Sequence, residues 1–359
     1  MARLRAVRKP SRALILALVV AVPALVLGLV VLRAGGVFRN VASPFTGNCH
    51  TIDLAGSSED IRVDRQRGIA YLSLLDRDDI ARGGAGNGTV MLLDLNLAEP
   101  APRAAMNFDP PNFRPHGLSL LQAEGQPPRL FAISHPADGS HVVEIAERDS
   151  NGGFVPRETI RDAAFVHPNA LVATGPRQFY LVNDAPSRDE GRGLGNLLSG
   201  SGEGTVLYYD GEQSRVLVEG LAYPAGLALS PDGSHLYVGE ALANSIRIYR
   251  RDLASGALTL VRAVAVGSAP DNLDVDADGV VWIAAHPKLF RFLAHLGDAA
   301  KPSPTQVLRF DPRQPGSRPE TVYADDGTKI SAGSVAAPWR GQFLVGALLD
   351  KKVLICKRQ

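Results

Sequence analysis

A pair of short strands joined by a turn recurs six times along this chain. Such a unit cannot bury both of its apolar faces alone, so the copies must stack on one another. The unit reads IRVDRQRGIAYLSL from Ile61, LSLLQAEGQPPRLFAIS from Leu118, LVATGPRQFYLVN from Leu171, LALSPDGSHLYVGE from Leu227, LDVDADGVVWIAA from Leu273 and VAAPWRGQFLVGA from Val335. Successive copies start 57, 53, 56, 46 and 62 residues apart. Further strands lie between them, among them TVMLLDL from Thr89, HVVEIAE from His141, TVLYYD from Thr205, SIRIYRR from Ser245 and TQVLRFD from Thr305. Four short strands every fifty or so residues, with period-2 alternation and Gly- or Asp-containing turns, are the signature of propeller blades. The expected fold is therefore all-β, a six-bladed β-propeller over residues 45–359. Two stretches break the pattern: a polar, Gly-rich insertion over 186–203, and 288–303, which reads as a short helix or a strand plus loop.

The N-terminus differs. Residues 13–32 run for 20 positions without a charge, and at helical rise they span about 30 Å, the thickness of a bilayer core. Basic residues precede them, which places residues 1–12 in the cytoplasm and the body outside. The expectation is a transmembrane helix over 13–32, a linker over 33–44 and an extracytoplasmic propeller. A cleaved signal peptide, leaving a secreted protein, is the alternative, as is a buried core helix. Residues 1–39 hold seven basic side chains and no acid, which leaves residues 40–359 with 31 basic against 37 acidic side chains. An acidic body is poorly suited to phosphate backbones, so nucleic acid is not an expected partner.

Cys49 and Cys356, the only two cysteines, bracket the repeats. Reduced, buried thiols are one reading. In an exported domain one cysteine at each end invites a disulfide that fastens the ring.

Polar residues stand at equivalent points, just before the first strand of each copy: Glu59-Asp60, His116-Gly117, Asn169, Tyr223-Pro224-Ala225-Gly226 and Asp271-Asn272. In a propeller these positions converge on one end of the central channel. Carboxylate and amide oxygens gathered there suit a hard cation such as calcium; taken singly, such residues are ordinary turn formers. Other patterns carry less. Asp274 to Gly279 imitates the start of a calcium-binding helical loop, but Ala285 stands at its twelfth position and strands flank it. GRGLGN at Gly191 lacks the third glycine of a dinucleotide loop, and no G-x-S-x-G elbow is present.

The segments GSSEDIRV (Gly56–Val63), RPHGLSL (Arg114–Leu120), FAISHP (Phe131–Pro136), HPNALVATGPRQFYLVND (His167–Asp184), DNLDVDADGVVWIAAHP (Asp271–Pro287) and GQFLVGALLDKKVLIC (Gly341–Cys356) carry a resemblance. In order and spacing, together with the cysteine pair, the chain resembles the calcium-dependent paraoxonase/arylesterase family of lactonases and arylesterases. The resemblance implies that Glu59, Asn169, Asp271 and Asn272 ligate a catalytic calcium. It implies that His116 and His135 are the pair that activates water. Asp60 and the main-chain carbonyl of Leu118 match parts of a second, structural calcium site, and Cys49 and Cys356 match the closing disulfide. Two positions depart from the family pattern: Ala225 replaces a further calcium-ligating Asn, and Ala170 replaces a structural-calcium Asp. One calcium ion is expected, not two.

The expected activity is hydrolysis of a small-molecule ester or lactone, with a cation polarising the carbonyl and His116 acting as general base on water. A propeller of the same lineage that binds a ligand without turnover is one alternative, fed by Ala170 and Ala225. A gluconolactonase-like or strictosidine synthase-like enzyme is another. His286 is a weaker candidate at the channel mouth, and His50, His141, His167, His235 and His295 carry no such context.

Overall fold

The computed structural model describes residues 11–357 apart from 85, 108 and 187–201. The insertion expected over 186–203, and the basic residues before Ser11, therefore lie almost wholly outside the described residues. Among the described residues the strands form six four-stranded antiparallel sheets. Blade one is β2 (Ser57–Asp64), β3 (Ile69–Leu75), β4 (Thr89–Asp94) and β5 (Arg103–Ala104), with the first strand innermost. Blade two is β6 (Pro115–Leu121), β7 (Arg129–Ser134), β8 (Val142–Arg148) and β9 (Phe154–Ile160). Blade three is β10 (Pro168–Ala173), β11 (Phe179–Asn183), β12 (Gly204–Tyr209) and β13 (Ser214–Leu221). Blade four is β14 (Pro224–Leu229), β15 (His235–Glu240), β16 (Ser245–Arg251) and β17 (Leu258–Ala265). Blade five is β18 (Ala269–Val275), β19 (Val281–His286), β20 (Thr305–Phe310) and β21 (Glu320–Asp325). Blade six is β22 (Gly333–Trp339), β23 (Gln342–Ala347), β24 (Lys352–Lys357) and, outermost, β1 (Asn48–Asp53) from the start of the body.

Alternation explains why these sequences fold so. In β3, Leu72 faces Ile61, Val335 and Leu344 between blades six and one. Its neighbour Tyr71 faces Val90, Leu118 and Phe154 between blades one and two. The other four interfaces are built the same way, so each blade pair encloses its own apolar cluster. Each fully buried Leu, Ile, Val or Phe contributes about 1.5–3 kcal/mol. The inner strands touch in a closed cycle, β2 to β6, β10, β14, β18, β22 and back to β2.

Closure is double. All six residues of β1 pair with β24, and Cys49, directly opposite Cys356, is disulfide-bonded to it. Phe45 packs edge-on to Tyr323 and Phe343 just before this strand.

Residues 12–34 form α1 (Arg12–Ala34), a helix at the positions expected for the membrane segment. Its side chains are described over 19–33, where ten large apolar residues including Val19, Leu25, Leu27 and Val30 are exposed. Among the described residues no helix is long and apolar enough to cross a membrane. A second helix, α2 (Arg77–Ala81), follows β3, and the irregular stretch after β19 is helical, α3 (Leu289–Gly297).

The crosslink closes a loop of 307 residues, which chain-entropy arguments rate at more than about 4 kcal/mol. Cys356→Ser should lower the unfolding temperature by several degrees and make it indifferent to reductant, whereas the parent should respond to reductant. Equal melting of the two oxidised proteins would mean that β1 pairing alone closes the ring.

Candidate active site

Each inner strand is interrupted near its start by a register shift against its hairpin partner. The shifts fall between Ser58 and Ile61, Pro115 and Leu118, Pro168 and Ala170, Pro224 and Gly226, Pro270 and Leu273, and Gly333 and Val335. A bulge leaves residues out of the ladder and re-aims their side chains. The residues so released are Glu59 and Asp60, His116 and Gly117, Asn169, Ala225, Asp271 and Asn272, and Ser334. Six bulges at one end of six converging strands thus gather these residues around the channel. The approach is close: a Cβ added at Gly226 would lie 2.3 Å from the Asp271 carbonyl oxygen.

Glu59 and Asn272 meet across the channel. Asn272 Nδ2 donates to Glu59 Oε1 at 2.6 Å, and Ser334 Oγ donates to the Glu59 carbonyl at 2.7 Å. Glu59 Oε2, Asn272 Oδ1 and Asn169 Oδ1 are buried and have no hydrogen-bond partner. A buried acceptor left unpaired costs about 1–3 kcal/mol. Here three such oxygens come from blades one, five and three. With Asp271, also buried, the set is two carboxylates and two amides, all oxygen, the chemistry a hard divalent cation takes. These residues fit a calcium ion. Among the described residues no group of three or more His, Cys, Asp or Glu side chains is disposed to hold a metal, so the amide oxygens are essential to that fit.

The buried charges repel one another. Burial, opposed by His286 and reinforced by Glu59, raises the Asp271 carboxyl above its usual range. Burial also works to raise Glu59, but His116 beside it, and then Arg77, hold that carboxyl low.

His116 Nε2 lies 3.5 Å from Glu59 Oε1, and its Nδ1 lies 3.0 Å from His135 Nε2. His135 Nδ1 in turn lies 2.8 Å from His141 Nδ1, and the His141 ring packs edge-on to His167. His167 Nδ1 contacts Asp184 Oδ1, whose other oxygen accepts from Asn169 Nδ2 at 2.9 Å. The expected pair is therefore the inner end of four imidazoles that leave the channel and return to it through a buried carboxylate. Burial first, and then the neighbouring imidazoles, press His135 well below its ordinary value, so it is neutral at neutral pH. His141 and His167, which carried no context in sequence, belong to this chain. Asp184 escaped notice too, although its place two residues after Val182 in the apolar run FYLVN hinted at a strand end beside the site.

Asp60 and Leu118 lie together, but not around an open space. The Asp60 carboxylate accepts from the Ile61 and Leu118 amides at 2.8 and 2.7 Å and from Arg62 Nη2 at 2.9 Å. Burial, opposed by Arg62, raises that carboxyl to about 6. At the position of the missing Asn, Ala225 is buried and supplies no ligand. Two residues earlier Tyr223 is held in the left-handed region at φ 56°, a conformation costing about 1–3 kcal/mol in a non-glycine residue. The charge of Asp184, with burial behind it, pushes the Tyr223 phenol well above its ordinary value.

His286 Nε2 donates to Asp271 Oδ2 at 2.9 Å and its ring stacks on Phe292 of α3, ring centroids 3.8 Å apart. The end of α1 reaches this mouth. Leu289 N donates to the Gly35 carbonyl at 3.0 Å, and Arg39 Nη1 donates to the Pro287 carbonyl at 2.9 Å. At Gly36, φ 71°, an added Cβ would lie 2.0 Å from the Pro287 oxygen. The expected linker is thus docked against the propeller.

The chain is similar to known proteins in sequence and in fold. The chain is 29% identical to human serum paraoxonase/arylesterase 1 over 322 residues, covering 86% of this chain and 88% of that protein. It is 28% identical to rat serum paraoxonase/lactonase 3 over 320 residues, with coverage of 86% and 88%. Among solved structures, a putative gluconolactonase superimposes with a TM-score of 0.53 at 17% identity, covering 89% of this chain and 97% of that one. A luciferin-regenerating enzyme gives 0.51 at 14% identity, with coverage of 86% and 95%. These two likenesses establish the fold alone. The arylesterase profile matches residues 78–357, most of the propeller, and the chain belongs to the arylesterase family of ester and lactone hydrolases.

Proposed function

We propose that this protein is a calcium-dependent hydrolase of small carboxylic esters and lactones, working at the bulged end of the channel. The observation that carries the reading is the set of unpaired buried oxygens on Glu59, Asn169 and Asn272, each released by a bulge at the start of an inner strand, with His116 beside Glu59. Glu59, Asn169, Asp271 and Asn272 would hold the ion. When bound, calcium supplies Lewis-acid polarisation of the substrate carbonyl and neutralises the developing oxyanion.

The chain's own residues would do the rest. His116 takes a proton from water at Nε2, the nitrogen that faces Glu59. The proton on its Nδ1 can then pass to Nε2 of His135, 3.0 Å away, whose depressed basicity suits it to carry the proton only in transit. His135 hands on through Nδ1 to His141, so the charge leaves the cation's neighbourhood. Tyr223 fixes Asp184, which orients Asn169. His286 holds Asp271, and Phe292 stacks on the His286 ring. Residues 13–32 would anchor the protein in a membrane with the propeller extracytoplasmic, a reading supported by the exposed apolar side chains around α1.

His116→Gln should reduce hydrolysis of phenyl acetate and of a lactone panel by about 10²–10⁴-fold while leaving calcium affinity and unfolding temperature close to the parent's. Glu59→Gln should weaken calcium binding, seen by calorimetry, along with turnover. Parent-like rates in both variants would remove the site from consideration. Restoring an amide at the depleted position, Ala225→Asn, should tighten calcium binding several-fold; weaker binding would mean that Tyr223 and Asp184 have claimed that space. The full chain should float with lipid vesicles, and a chain starting at residue 40 should stay in solution yet hydrolyse esters equally well.

A further inference from the structure

We infer that Arg62 is the structural cation of this propeller, its guanidinium standing in the second calcium site that the family resemblance implies, so that the fold carries its own fixed positive charge. The contacts define the role. Nη2 donates to Asp60 at 2.9 Å, Nε to the Leu118 carbonyl at 2.8 Å and Nη1 to the Leu273 carbonyl at 2.8 Å. Asp60 and Leu118 are the two groups through which the resemblance places a second ion, and Arg62 bonds to both. The three acceptors come from blades one, two and five, so the guanidinium ties strands that enclose the channel. A planar fork of five donors satisfies acceptors spread in this way.

A second calcium ion does not fit these residues. It needs six to eight oxygens, whereas the Leu118 and Leu273 carbonyls are already engaged and Asp60 is the sole carboxylate they surround. Ala170, where the family has an Asp, places a fully buried methyl in the apolar cluster between blades three and four. Adding a divalent ion beside Arg62 would bring two more positive charges to a place where Arg62 already answers Asp60, with Asp274 and Glu59 acting on it at longer range. The loss of one acid and the presence of one arginine therefore compensate each other. Beyond Arg62 the channel opens, at the end away from the bulges, into a cavity lined by Arg62, Arg65, Ser119, Ala173, Leu227 and Asp274. The guanidinium is the floor between the two halves.

The inference rests on the calcium reading only for its count of one ion. The test uses the full chain, equilibrated with micromolar calcium, desalted, and analysed for bound metal and for thermal unfolding in chelator. The parent should carry one calcium. Arg62→Gln should melt many degrees lower in chelator, because Asp60 is left buried without its counter-ion, held only by the Ile61 and Leu118 amides. Adding Ala170→Asp to Arg62→Gln should raise the count to two and restore much of the melting temperature in calcium. Two ions on the parent, or an Arg62→Gln variant that melts like the parent, would overturn the assignment. If Arg62→Gln does not fold, Asp60→Asn combined with it removes both charges and is expected to fold; failure of that neutral pair as well would also count against the assignment. A parent without calcium whose Arg62→Gln variant is still destabilised would sink the proposed function and leave Arg62 in place as the cation.

Discussion

Everything at the centre of this molecule depends on the ring being closed by strand β1. Six wedge-like sheets enclose a channel only while each inner strand is pressed between two others, and the β1–β24 pairing ties the start of the body into the last blade, where β22 closes the cycle on β2. Burial of Glu59, Asp60, Asp271 and Asn272 follows from that closure, since these residues sit on bulges that point inward. In an opened ring the same carboxylates would be hydrated and ordinary. A crosslink from the first strand of the body to the last is thus coupled, through packing alone, to the electrostatics of a site near the axis. The coupling needs no conformational switch, only the geometry of a closed cycle.

Inside the closed ring the problem is like charge. Glu59 and Asp60 are adjacent in sequence and both buried, and the charge of Glu59 adds to the cost of ionising Asp60. Arg62 answers Asp60 directly. Arg77 of α2, bonded to Ser57 Oγ and the Pro115 carbonyl at the rim, acts on Glu59 at longer range. What remains unanswered is the group around Asp271 and the three unpaired oxygens, and that group is what an exchangeable cation would complete. Fixed charges from arginine and a removable charge from metal would divide the labour, one serving the fold and the other the chemistry.

Much of this was legible in the sequence, for a local reason. Blade count, strand positions and the closing cysteines follow from alternation and spacing, which survive without tertiary context; β6, β7, β15 and β19 fall where the repeats place them. The channel-facing donors were found because equivalent positions in repeats become neighbours in space, although the bulges that release them leave no mark in composition. The outer imidazoles did not show. His141 stands just ahead of β8 and His167 just ahead of β10, on loops of the mouth, and a lone histidine in a loop has no period to betray it. Arg62 was hidden by the opposite cause. Between Ile61 and Val63 it reads as the polar half of an alternating strand, and in a sheet with one wet face that side means solvent. In a propeller the polar side of an inner strand is the channel, so the same residue becomes a buried cation.

The mouth completes the argument about access. His286, Phe292 and the Pro287 carbonyl form one edge of the site, and Gly35, Gly36 and Arg39 dock the end of α1 onto that same edge. A glycine at 36 is required there because the helix must turn within van der Waals distance of the propeller backbone. The apolar side chains exposed along α1 therefore begin within a few residues of the group that holds Asp271. The end of the N-terminal helix and the edge of the site at His286 are thus held to one another by the same backbone contacts, so a displacement of one is felt at the other.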